Sequence, residues 1–161
     1  MLIALRFIYI LSLIFWIGSI FFFSLIAGPS IFKILPRETA GNLVTDIFPK
    51  YYLIAYVCGG VAIVTSILSW IIAVPSSGTP YLLRIIILAA MLGLAAYAGT
   101  VIRPQALEIR SEMRSLAEDS PRYQEVSKRF SGLHKRSVIV NGTVFLLGIA
   151  IVLITTYTYR E

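Results

Sequence analysis

The feature that most constrains this chain is a run from Phe7 to about Ile31 that contains no charged residue. A hydrocarbon core about 30 Å thick is crossed by about 20 apolar residues in a helix, and this run exceeds that length. Arg6 ahead of it and "SLIAG" near its end resemble parts of a secretion signal. Signal cores run only about 7–15 residues, so a retained membrane span is expected instead. Three further segments meet the same criterion: Tyr51 to Val74, about Ile85 to Ile102, and about Val138 to Tyr157. Composition agrees: 58% of the 161 residues are hydrophobic and 14% charged, against about a quarter charged in soluble domains. Mean hydropathy is +0.85. The expected fold class is all-α: one transmembrane domain over residues 1–161, an integral membrane four-helix bundle with both termini on the same side.

The net charge of +6 does not point to nucleic acid, because the basic residues flank apolar runs and form no stripe of their own. Membrane topology and anionic headgroups account for them. Eleven Lys and Arg residues lie in the first and third loops: Lys33, Arg37, Lys50, Arg103, Arg110, Arg114, Arg122, Lys128, Arg129, Lys135 and Arg136. Only three, Arg6, Arg84 and Arg160, lie on the other side. The positive-inside rule therefore places both loops in the cytoplasm of a bacterial inner membrane and the termini outside. A lone cysteine, Cys58, permits no intrachain disulfide.

The connecting segments carry their own signals. "PSSGTP" predicts a tight turn between spans two and three. Pro36 suits a helix N1 position, and Ala40, Leu43 and Ile47 recur at helical spacing. An interfacial helix is expected over about 36–48, stopped by Pro49, with Tyr51 and Tyr52 as interface anchors. Residues 104–137 are expected to form a long cytoplasmic helical hairpin between spans three and four. Its first arm prolongs span three past a bend at Pro104, and its second starts at Ser120 as N-cap with Pro121 at N1.

Polar residues gather at the loop-bearing ends of the spans. Gly28-Pro29 ends span one, Tyr51, Tyr52 and Tyr56 open span two, and Tyr97, Thr100 and Arg103 close span three. His134, Ser137 and Asn141 open span four at i, i+3 and i+7, one face of a helix. Polar groups in a bilayer face the bundle interior and pair. The cluster is therefore either interhelical glue or a ligand pocket lined by Tyr52, Tyr56, Arg103, His134, Ser137 and Asn141. His134, the sole histidine, is the one candidate metal ligand. No Asp or Glu lies within any span, which argues against a carboxylate-type proton or sodium carrier. Small-residue pairs such as Ser24/Gly28, Ala89/Gly93 and Ala95/Gly99, with Gly59-Gly60, allow close helix approach, mostly within the bundle, and a homo-oligomer is expected because four helices alone enclose little interior.

Several short motifs occur in order along nearly the whole chain: Trp16 with Gly18, Phe32-x-x-Leu35-Pro36-Arg37, Phe48-Pro49-x-Tyr51, Arg103-Pro104, and Leu133-His134-x-x-Ser137-x-x-x-Asn141. Together with Gly28-Pro29 they resemble the transmembrane protein 205-like family. The resemblance implies a four-helix membrane fold without a settled activity. An animal relative is associated with platinum-drug resistance, which hints at metal or drug handling. The fold is also distantly similar to copper-resistance D proteins and to a haem-pathway oxidase of similar size. Those relatives carry a histidine in the first span, where Tyr9 stands here.

Three functional expectations follow. The first is binding or transport of a small molecule, metal or anionic compound at the polar cluster, with Arg103 holding an anionic group. The second is a haem- or porphyrin-linked oxidoreductase, by fold analogy alone. The third is a scaffold that docks a partner on the hairpin. No nucleophile elbow, phosphate loop or zinc-protease motif is present, so binding is expected ahead of catalysis.

Overall fold

In lipid every backbone N–H and C=O must be satisfied within the chain, which leaves helices as the spanning solution for these apolar runs. The computed structural model describes residues 1–73 and 79–158. It contains α1 (Leu2–Phe22), α2 (Gly28–Ile34), α3 (Arg37–Ala73), α4 (Thr79–Tyr97), α5 (Arg103–Arg114) and α6 (Pro121–Thr158). Single π-helical turns, Phe23–Ala27 and Ala98–Ile102, fuse α1 to α2 and α4 to α5. The result is four membrane-length rods, Leu2–Ile34, Arg37–Ile72, Tyr81–Arg114 and Pro121–Thr158. The chain is an integral, multi-pass membrane protein. The turn expected from "PSSGTP" lies largely outside the described residues, as does Arg160.

The π turns have a local cause. A proline ring clashes with the carbonyl four residues back and offers no N–H. Pro29 and Pro104 each follow a residue whose N–H skips to the fifth carbonyl back: Gly28 to Phe23 and Arg103 to Ala98. Widening the turn keeps the rod continuous at Pro104, where a bend was expected.

α1 packs on α3, α3 on α4, α4 on α6, and α6 back on α1. The buried stripe of α1 is Tyr9, Leu13, Trp16 and Ile20, spaced as one helical face requires. Trp16, Leu88, Met91, Val144 and Ile151 fill the centre. Small residues admit them: a Cβ at Gly59 would stand 2.9 Å from the Trp16 ring, and one at Gly148 would stand 2.8 Å from Ile17. Gly18, Gly60 and Gly93 instead have open space beside them, so Ala89/Gly93 does not mediate packing within the chain. Ile, Leu, Val and Phe side chains cover the outer surface of all four rods, which is the surface a bilayer solvates.

Two expected features are corrected. First, no long cytoplasmic hairpin stands between the third and fourth helices. The rods themselves run on, and only the six-residue connector 115–120 separates Arg114 from Pro121. Burial of Ile109 against Val126 and Leu133 ties α5 directly to the start of α6, which leaves no separate element there. The Ser120 cap does form, accepting from the Tyr123 N–H at 3.1 Å. Second, Pro49 does not stop a separate interfacial helix: α3 runs through it for 37 residues. The reason is the docking of its first turns. Ala40 is fully buried. Arg110 of α5 donates to Thr45 Oγ1 (2.9 Å), the Glu38 carbonyl (2.9 Å) and Asn42 Oδ1 (3.1 Å), and Arg114 also donates to Asn42. Gly41 lies beneath that guanidinium, where any Cβ would collide with it.

Candidate functional site

Two polar regions sit at opposite ends of the bundle: a connector end, near residues 35–36 and 115–120, and a terminal end, where α1 begins and α6 finishes. At the connector end α3 presents Phe48, Tyr51, Tyr52 and Tyr56 at helical spacing. Their rings and that of Phe23 form a continuous aromatic cluster with centroids 5.3–6.3 Å apart. Tyr51 and Tyr52 are buried. The Tyr51 hydroxyl donates to Asn141 Oδ1 at 3.3 Å, the cross-helix partner that a deep amide in α6 requires.

The widened turn Ala98–Ile102 supplies the opposite wall. Gly99 lies so close that a Cβ there would run into the Tyr56 hydroxyl and approach Tyr52 Cγ to 3.1 Å. Arg103 follows one turn later, half-buried and near enough to Tyr52 to act on its hydroxyl electrostatically. Its Nε–H is buried with no hydrogen-bond partner among the described residues. The arrangement sets tyrosine rings beside a guanidinium, groups whose chemistry suits an aromatic ring and an anionic group respectively.

The structure thus brings together Tyr52, Tyr56 and Arg103, with Tyr51 and Asn141 alongside. Ser137 is half-buried one turn from Asn141, whereas His134 is exposed on the next turn out. Trp16 belongs to the core, Gly18 faces the lipid side, and Arg37, Pro36 and Pro104 are exposed. Phe23 and Gly99 complete the cluster; Phe23 went unnoticed in the sequence, and Gly99 was read only as half of a small-residue packing pair. The signal for both was present: they lie six and five residues before prolines, Pro29 and Pro104, that must disturb the helix.

The donor set does not fit a chelated metal or a haem held by one chain. Among the described residues no three His, Cys, Asp or Glu side chains come together. Tyr9, the expected counterpart of a first-span histidine, is hydrogen-bonded to Thr155 at 3.1 Å. Thr155 is about 31 Å along α6 from His134 at 1.5 Å per residue, so the two positions cannot face one macrocycle.

The terminal end holds a second polar region that the sequence reading counted only as topology. Arg84 is 1% exposed although it lies within an apolar helix. Its guanidinium carbon sits 4.7 Å from the Tyr81 ring centroid and 5.8 Å from that of Tyr9. Cation–π contacts contribute about 2 kcal/mol each when desolvated, whereas burying a charge costs several. Oxygen acceptors must therefore supply much of what holds Arg84 inside. Ser12, Ser66 and Ser69 are buried in the same half of the bundle.

No curated protein and no solved structure matches the chain significantly. A family model described as a domain of unknown function, DUF4149, matches residues 11–115. That stretch holds most of the first rod, the second and third rods, the aromatic cluster, the buried Arg84 and the half-buried Arg103. With this match over most of its length, and a four-helix membrane bundle of the transmembrane protein 205-like kind, the chain belongs to the DUF4149 family.

Proposed function

We propose that this protein binds, and carries or presents, a small anion with a flat apolar body at the connector end of its bundle. Tyr56 lies against the body with Tyr52 stacked behind it, Arg103 pairs with the anionic group, and Asn141, oriented by Tyr51, supplies an amide. The role is binding rather than catalysis. The observation that carries the reading is the buried Arg103 Nε–H without a hydrogen-bond partner among the described residues, set beside stacked tyrosines. A buried donor left unmade is costly, and an anionic oxygen is the acceptor it suits best.

The test is saturation-transfer NMR on protein in nanodiscs with 1-naphthoate and its neutral amide as probes. Naphthoate is expected to bind the native protein. Arg103→Ala should weaken it about tenfold or more, the loss of one charge-assisted hydrogen bond. Equal binding of naphthoate and naphthamide, or no loss in Arg103→Ala, would exclude the site.

The orientation proposed with it puts the connector end in the cytoplasm of a bacterial inner membrane. Its support is the eleven-to-three division of Lys and Arg. Alkaline phosphatase fused after Glu161 should be active and a fluorescent protein dark at the same place. The reverse pattern would turn the bundle over.

A further inference from the structure

The first turns of α6 carry an inference that stands independently of the ligand at Arg103. On α6 the exposed large apolar side chains begin at Val138 and end at Tyr157, a stretch of the about 20 residues that one hydrocarbon thickness requires. The helix itself begins at Pro121, so its first turns stand outside the hydrocarbon. In those turns Lys128, Arg129, Lys135 and Arg136 are exposed. Seven residues complete nearly two turns, so Lys135 repeats the direction of Lys128 and Arg136 that of Arg129. Val126 and Leu133, buried against α5, hold the side turned inward. Four basic residues that merely flank a span in the sequence therefore share one outward face.

Gly132 lies at the centre of that face. The surface neighbours of a helical residue are those three and four positions away, and for Gly132 these are the four cations. Gly132 is exposed, and a Cβ added there would meet nothing within 4 Å. Glycine is a weak helix former, yet no packing within the described residues uses the space it leaves. None of the four cations has an ion pair among the described residues. The one acid of α6, Glu125, is held by Arg122 at 2.9 Å. Depth separates the four into two pairs. Lys135 and Arg136 stand within about 5 Å of Val138 along the axis, at headgroup level. Lys128 and Arg129 stand about 10 Å farther out, past a headgroup layer about 5–8 Å deep. Lipid phosphates confined to that layer meet the lower pair and leave the upper pair in water.

We propose that this face docks an acidic segment of a protein partner, its carboxylates laid along the four cations and its chain drawn close over Gly132. Charge complementarity selects the segment, and the bare backbone at Gly132 gives it room. A second copy of this chain fits less well. Most of its acids at the connector end are paired within the chain. Glu118 and Asp119 precede Pro121 and so stand about 10 Å beyond Lys128 in a copy lying the same way in the membrane.

The experiment is fluorescence anisotropy of a labelled hexaglutamate peptide titrated with the full chain in phosphatidylcholine nanodiscs, with hexaglutamine as the neutral probe. Hexaglutamate is expected to bind and hexaglutamine is not. Lys128→Glu combined with Arg129→Glu should weaken binding about tenfold, because two attractions become two repulsions and each exposed contact contributes a factor of about two. Gly132→Leu keeps every charge and should weaken binding about threefold by holding the peptide off one or two of those contacts. An unmoved affinity there would overturn the close approach. Lys33→Glu combined with Arg37→Glu makes the same change in net charge elsewhere at this end and should alter binding by less than about twofold. Equal loss in that variant, or none in the Lys128/Arg129 variant, would overturn the site. Replacing about a third of the lipid by phosphatidylglycerol should weaken binding by less than about threefold, since the surface potential decays within a Debye length. A fall to the level of the Lys128/Arg129 variant would assign the face to lipid headgroups and overturn the protein partner.

Discussion

Trp16→Ala is expected to destabilise the bundle by about 3 kcal/mol, the low end of large-to-small core changes. In a bilayer the surrounding lipid is as apolar as the core, so helix association rests on packing rather than on expulsion of water. The loss is therefore chiefly that of contacts around a cavity that rigid neighbours cannot close. Trp16 is 1% exposed and fills the space left by Gly59, where an added Cβ would stand 2.9 Å from both its ring and Leu92. The measurement is chemical unfolding in mixed micelles, with Gly18→Ala as the comparison. Gly18 lies half a turn away on α1 with nothing near its missing side chain, so its substitution should change stability by less than about 0.5 kcal/mol. If the two variants behaved alike, α1 would have to be rotated from the placement described.

The four rods were legible because uncharged runs of membrane length admit one solution. The pairing of Tyr51 with Asn141 was nearly legible too: a deep amide on α6 and tyrosines at the same depth on α3 have few other partners. Interruption by proline was misread. A single sequence shows that Pro49 removes a hydrogen bond. It does not show that Arg110, 61 positions later, would tie the turn before it to α5. For the same reason the residues after Pro104 read as one arm of a long cytoplasmic hairpin prolonging span three past a bend. The π turn that lets α4 pass into α5 costs little beyond one skipped bond, and no composition rule marks it. Arg84 was missed for a different reason. A charge ends a hydropathy window, so the third span was drawn from Ile85 and Arg84, a buried cation, fell one position outside. Tyr81, Tyr9 and Thr155, which make that burial possible, come from three helices.

Gly99→Leu is expected to have the largest effect on the connector-end cluster, costing about 2–3 kcal/mol from overpacking and abolishing naphthoate binding. The Tyr56 hydroxyl is the free end of a half-buried side chain and can swing aside. Tyr52 cannot follow, because it is buried and stacked between Phe48 and Tyr56. Its Cγ would already be 3.1 Å from a Cβ at position 99, so a larger side chain must push the Ala98–Ile102 turn away from α3 and carry Arg103 with it. A milder pair separates the two contacts. Gly99→Ala alone should destabilise by about 1–2 kcal/mol. Adding Tyr56→Phe removes the oxygen in the way and should recover about 1 kcal/mol, a coupling well above the scatter of independent sites. The cycle is read by unfolding midpoints of the four proteins in one detergent. Strict additivity would mean that the glycine does not rest against Tyr56, and the wall facing the tyrosines would then have to be built from another turn of the third rod.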